Sequence, residues 1–231
     1  MQSEAALRAG AMACFTNAQE LYEEAKLLYE HAQSPRSVVL ALIGAEEFAK
    51  AVVYTVAALL PKQRHLLPPT LDSHPLKHHI CMLAEAAQIR NTKRWGRKAK
   101  DGDISDYFRE LARWGLDSVL DDKKAKQYYR ELRHEIEEDN QSLRQVNPES
   151  EGIFRGFTEP DLKEAALYVE LEESGEVNSP SARVSEHHVV TSINALLYYL
   201  EEYAALPTVV EDDQCWRDFA ERVRNGLSEA R

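Results

Sequence analysis

Glu46, Glu47 and Lys50 interrupt SPRSVVLALIGAEEFAKAVVYTVAALLP, a mostly apolar stretch beginning at Ser34. At about 100° per residue, Val39, Leu42, Ala49, Val53 and Leu60 share a broad helical face. Glu46 and Lys50 project within that face one turn apart, and Glu47 lies at its border. A glutamate followed by a lysine at i+4 is the favourable ion-pair order. Charges inside an apolar stripe are costly unless paired. The three residues therefore form either a structural ion pair, with long side chains reaching for water, or the lining of a polar cleft. A second chemistry-bearing run is Ser73-His74-Pro75-Leu76-Lys77-His78. Histidine is the side chain whose ordinary charge change falls between pH 5 and 8, so His74 or His78 could serve as an acid or base. A third is Arg90 to Lys100 (RNTKRWGRKAK), with six basic residues, no acid, and Trp95 among them.

The elements that must position these groups read as helices. Glu4 to His31 is amphipathic, with Leu7, Ala11, Phe15, Ala18 and Ala25 recurring at helical spacing. Ser34-Pro35 supplies a cap and a first-turn proline for the next helix, which runs to Leu60 before Pro61. Ser73 can cap a third helix ending near Arg90. Asp106 to Leu120 and Lys123 to Asn140 have the pattern of two more. Gln141 to Thr158 is polar and irregular. Asp161 to Leu167 reads as a short helix, passing into an alternating Tyr168 to Leu171 strand. Ser185 can cap a helix through Tyr203, and a peripheral helix covers about 211–227. The expectation is a single all-α domain over residues 1–231, with about seven helices and at most a minor two-stranded element.

Composition sets bounds on function. The chain of 231 residues can bury a proper core. Its net charge of −11 argues against broad coating of nucleic acid, which needs clustered positive charge, although a local basic site is compatible with it. Cys14, Cys81 and Cys215 are odd in number and far apart, which fits neither a disulfide framework nor a zinc site. The first residues lack a basic region followed by an apolar core, and the longest charge-free apolar run is too short to span a bilayer. A reduced cytoplasm is the expected location. No HExxH or cysteine-based spacing is present, so no metal or cofactor is expected.

Several local patterns occur in a recognisable order. Asn17-Ala18 and Leu21 precede Ala45-Glu46-Glu47-Phe48-Ala49-Lys50. Next comes His74-Pro75-Leu76-Lys77-His78, followed by Lys163, Ala166-Leu167-Tyr168-Val169-Glu170, Gly175 and Ser179-Pro180. Together they resemble the AbiV family of bacterial abortive-infection proteins, in the HEPN-like helical superfamily, over roughly residues 10 to 200. The resemblance implies phage defence through RNA or the translation machinery, a helical bundle, and a homodimer with polar residues meeting in a cleft. It also implies a metal-independent ribonuclease that uses an arginine and, four to six residues later, a histidine. Here Lys163 stands in the arginine position and Tyr168 in the histidine position. Lysine lacks the bidentate fork of arginine, and a tyrosine is a poor base at neutral pH.

Cleavage of RNA needs a group that activates the 2′-hydroxyl and a cation for the scissile phosphate. His74 or His78 fits the first role; Lys50, Lys77 or Lys163 fits the second, with Glu46 and Glu47 orienting them. Arg90, Lys93, Arg94, Arg97 and Lys98 are candidate RNA phosphate contacts, and Trp95 a candidate base stack. The expected function is an antiphage effector that arrests the infected cell by acting on RNA or a ribosome-associated target, triggered by a phage-encoded activator. The alternative is a non-catalytic protein-interaction module, or a nucleotide sensor, using the same polar cleft.

Overall fold

The computed structural model describes residues 2–95, 104–121, 162–168, 170–171, 177–202 and 212–229, with scattered positions between 123 and 130. The described elements are α1 (Glu4–Glu30), α2 (Ser34–Leu59), a 3-10 helix (Pro61–Leu66), α3 (His74–Trp95), α4 (Ile104–Trp114) and α5 (Leu116–Val119). They continue with α6 (Leu162–Leu167), α7 (Pro180–Arg183), α8 (Glu186–Glu202) and α9 (Asp213–Glu229). Between α6 and α7, β1 (Glu170–Leu171) and β2 (Val177–Asn178) form a minimal antiparallel pair, Glu170 opposite Asn178. The fold is all-α apart from this minimal pair, the bundle that the family resemblance implies.

Helix α2 is the axis of this bundle. Of its 26 residues 18 are buried, because α1, α3, α6 and α8 all pack against it. An apolar surface on every side is what a central helix requires, and so the single stripe expected for α2 is too narrow a description. Small residues let the neighbours approach. A Cβ added at Gly44 would lie 2.6 Å from Leu196 Cδ2 on α8, and Phe48 stacks on Tyr199 of the same helix with ring centroids 5.2 Å apart. Two buried hydroxyls of α2 are satisfied: Ser37 donates to the Ala25 carbonyl of α1 at 2.7 Å and Thr55 to the Ala51 carbonyl at 2.9 Å.

Both ends of α2 differ from the expectation in instructive ways. Its N-cap is Gln33 rather than Ser34, without a side-chain cap bond, and the turn before it places Ala32 at φ 59°. At the other end, Arg64 donates to the carbonyls of Ala57 (3.1 Å) and Ala58 (2.9 Å), setting a cation against the negative end of the helix dipole. Arg64 also reaches Glu4 at 3.1 Å, whose other oxygen accepts from the Trp216 indole at 2.6 Å.

That last bond belongs to α9, which is not peripheral. Trp216, Phe219, Ala220 and Val223 are buried in the same core as α1, α2 and α4. Elsewhere, Gly115 at φ 76° breaks the helix expected over Asp106 to Leu120 into α4 and α5, and Gln63 Oε1 accepts from the Leu116 amide at 2.7 Å. Helix α3 continues to Trp95, past the expected end near Arg90. Most of the helix expected over Lys123 to Asn140 and the polar stretch Gln141 to Thr158 lie outside the described residues.

The Gly44–Leu196 contact is directly measurable. Gly44→Val should destabilise the protein by about 1–3 kcal/mol, the usual cost of overpacking. Combined with Leu196→Ala, it should cost less than the sum of the two single changes, because the shared clash is gone. Additive losses in chemical denaturation would show that the two side chains do not compete for that space.

Candidate functional site

Three separate elements bring ionisable side chains to one point. Glu46 comes from the middle of α2. His74, Lys77 and His78 come from the first turns of α3, where i, i+3 and i+4 share a face. Lys163 comes from α6. The start of α3 is held by Ser73, whose hydroxyl accepts from the Leu76 amide at 3.3 Å. Further along the same face, Cys81 donates to the Ala45 carbonyl at 3.1 Å, and buried Ile80, Leu83 and Ala84 seat α3 in the core. The apolar packing of α3 thus aims its polar first turns at Glu46.

The Glu46 carboxylate is the hub. Its Oε2 lies 2.7 Å from His74 Nδ1 and 2.9 Å from Lys77 Nζ. Its Oε1 lies 2.9 Å from Lys163 Nζ and 3.5 Å from His78 Nε2. The Glu46 side chain is 4% exposed and Lys77 7%, whereas Lys163 is 19% and His74 59% exposed. Depth therefore increases from an open imidazole, through a reachable ammonium, to a buried carboxylate. Burial pushes the Glu46 carboxyl up, but the close nitrogens of His78, Lys77, Lys163 and His74 outweigh it and hold the group well below the usual carboxylate range. The α3 dipole disfavours cations at its N-terminus, so His74 and Lys77 sit there because Glu46 compensates them.

Two features follow for chemistry. One carboxylate faces two ammonium groups, so the cluster carries surplus positive charge before either imidazole is protonated. Surplus positive charge at a partly open point attracts anions. The 2.7 Å contact also selects a tautomer: Nδ1–H of neutral His74 donates to Glu46, and Nε2 becomes the acceptor on a largely exposed ring. The 3.4 Å approach of Lys163 Nζ to the same Nδ1 is then proximity rather than a hydrogen bond. A carboxylate that orients an imidazole and leaves its second nitrogen basic is the standard preparation of a general base.

Not every candidate residue joins this point. Lys50 pairs with Glu47 at i−3 and not with Glu46 at i−4. That pair faces α1: burial and Glu47 push the neighbouring Cys14 thiol up to about 11. Tyr54, one turn beyond Lys50, is raised by burial, by Cys14 and by Glu47, against the opposing effect of Lys50. Sequence spacing within α2 could not show that α1 supplies Cys14 there. Tyr168 is 60% exposed, and its carbonyl accepts from Arg183 at 2.6 Å. Arg90, Lys93, Arg94 and Trp95 lie on the last turns of α3, while Arg97 and Lys98 lie outside the described residues. At 1.5 Å rise per residue, Arg90 is about 24 Å along the helix from His74. Among the described residues, no disulfide joins Cys14, Cys81 or Cys215, no group of three or more His, Cys, Asp or Glu side chains is placed to hold a metal ion, and no helix is long and apolar enough to cross a membrane.

The hub predicts a stability effect with a definite pH sign. Glu46→Ala leaves Lys77 buried without its counter-charge and should cost about 3–5 kcal/mol. The Glu46 carboxyl is depressed in the folded state, so its contribution is intact above the ordinary glutamate value of 4.5 and is lost as pH falls below it. In denaturant titrations the gap between wild type and Glu46→Gln should therefore narrow on acidification below that value. A gap of constant size would show that Glu46 is not charged and paired in the fold.

Comparison with known proteins places this geometry in a lineage. No curated protein and no solved structure matches the chain at a significant level. The family model HEPN_AbiV, described as AbiV, matches residues 6–196. That span runs from α1 into α8 and takes in Glu46, the α3 turns and Lys163. The chain belongs to the AbiV family of HEPN-like abortive-infection proteins.

Proposed function

We propose that the Glu46 hub is a phosphodiester site and that the protein, acting as a homodimer, halts growth of infected cells by cutting RNA. The observation that carries this reading is the graded cluster itself: a buried carboxylate orienting an exposed imidazole beside two ammonium groups. In the proposed reaction His74 Nε2 takes the proton of a ribose 2′-hydroxyl. The 2′-oxygen then forms a bond to the adjacent phosphorus, the bond from phosphorus to the 5′-oxygen breaks, and the 5′-oxygen leaves with a proton from solvent. Lys163, with Lys77 behind it, stabilises the charge that builds on the phosphoryl oxygens. Family membership supports the abortive-infection role. RNA as target, dimerisation and a phage-encoded trigger are the finer parts of the proposal.

The basic residues near the end of α3 are assigned to a different part of the strand. They lie too far along the helix to touch the phosphate that His74 addresses, so they would hold RNA several nucleotides away.

Purified protein with RNA and EDTA should yield fragments ending in a 2′,3′-cyclic phosphate and a 5′-hydroxyl. His74→Ala should slow the reaction by at least about 100-fold, the lower range for a general base, and Lys163→Ala by about as much. Cleavage unchanged in both variants would overturn the assignment. RNA bound but left intact would assign the cluster to binding alone, the reading favoured by Lys163 and Tyr168 standing where the superfamily has arginine and histidine.

A further inference from the structure

The elements that meet at Glu46 are not equally well seated. Helix α3 enters the core through Ile80, Cys81, Leu83 and Ala84, all buried. Helix α6 has six residues, of which Leu162 and Ala166 alone are buried. A helix that short is not stable by itself, so its position depends on those two side chains and on polar ties. One tie is Lys163 Nζ to Glu46 Oε1 at 2.9 Å. The other lies at the far end, where the Tyr168 carbonyl accepts from Arg183 of α7 at 2.6 Å. Taking α6 off α2 strands no buried charge. Glu46 keeps Lys77 at 2.9 Å and His74 at 2.7 Å, and Lys163 passes into water. What remains is one carboxylate and one ammonium, a neutral pair. With α6 docked, two ammonium groups share that carboxylate and repel each other. Lys77 is 7% exposed and fixed by α3, so the repulsion acts on the more open Lys163.

We infer that α6 is a strap whose docking is coupled to anion binding at the hub: a phosphate-class anion supplies the missing negative charge and holds α6 in place. Leu162 and Ala166 are then positioning residues. Both are apolar and buried, and they act only through where they put Lys163. The inference rests on the phosphodiester reading of the Glu46 hub and adds that the ligand itself completes the site. Coupling of this kind is reciprocal: whatever the anion contributes to docking of α6, docking returns to anion affinity. Glu46, Lys77 and His74 form the preset part of the site, and α6 is the part that closes on bound charge.

Amide hydrogen exchange of the full-length protein reads α6 directly, with inorganic phosphate as the probe and chloride matching the ionic strength. Without phosphate, the amides of 162–168 should exchange faster than those of 80–84 in α3, as befits an element with few buried apolar contacts. Phosphate at about nine times its dissociation constant should slow them about tenfold, the factor for a ligand that binds only the docked form. Exchange at 80–84 should not change. Lys163→Gln should abolish the protection of 162–168. Leu162→Ala, which removes no charge, should weaken phosphate binding by about tenfold or more by leaving α6 mostly undocked, with exchange at 80–84 as in wild type. The strap is overturned, while the phosphodiester site stands, if phosphate binds and exchange at 162–168 does not respond, or if Leu162→Ala binds phosphate as wild type does. Should Leu162→Ala fail to fold, the wild-type exchange comparison decides alone. If wild-type protein binds no phosphate, the site and the strap fall together.

Discussion

A carboxylate placed in the middle of an apolar helix has to be compensated, and the arrangement around Glu46 follows from that requirement. Left alone, such a charge would cost several kcal/mol of desolvation. Four nitrogen groups from two other elements converge on it, and the longest of these contacts in sequence joins residues 117 positions apart. The carboxylate thereby registers α6 and the start of α3 against α2. Burial of an ion network is weak evidence of stability, since apolar replacements are often no worse. The imbalance of charge in this network is the more telling property. A purely structural pair would be neutral, whereas this one carries more ammonium than carboxylate and opens toward solvent through His74.

The apolar architecture makes that opening usable. Helix α2 is buried almost along its whole length, so Glu46 is carried by the most enclosed helix of the described residues. Its C-terminal end is tied by one chain of contacts, from the carbonyls of Ala57 and Ala58 to Arg64, and through Glu4 to Trp216 on α9. An oriented donor set on an enclosed helix loses little free energy to reorganisation when an anion arrives, which is the condition under which electrostatic stabilisation is most effective.

Much of this was legible in the residues alone, for physical reasons. Helical spacing of apolar residues located α1, α2 and α8, and an anomalous glutamate in an apolar run marked the hub. The ordered patches pointed to the AbiV family. What spacing could not supply was partner choice. Within one helix Glu46 and Lys50 look like a natural pair at i+4. Yet they point toward different neighbours, Glu46 to α3 and α6, Lys50 to Glu47 and the α1 side. Burial of α9 was equally hidden, because its apolar residues Trp216, Phe219 and Val223 are few and become core only against α1 and α4. The break at Gly115 depended on a positive φ and a glutamine from another element, neither of which a helical pattern records.

Lys163 in the place of an arginine then acquires a physical meaning. A guanidinium would bind a carboxylate and a phosphate through fixed planar forks, and once engaged with Glu46 it would have limited freedom to turn. An ammonium has three donors around a compact charge. Glu46 occupies one of them, at 2.9 Å, and the group, 19% exposed, retains two for an incoming oxygen. Lys77, nearly fully buried at 2.9 Å from the other carboxylate oxygen, keeps Glu46 compensated if Lys163 shifts toward an anion. In the proposed reaction the pair divides what a single arginine would do: Lys77 maintains the hub and Lys163 meets the phosphate.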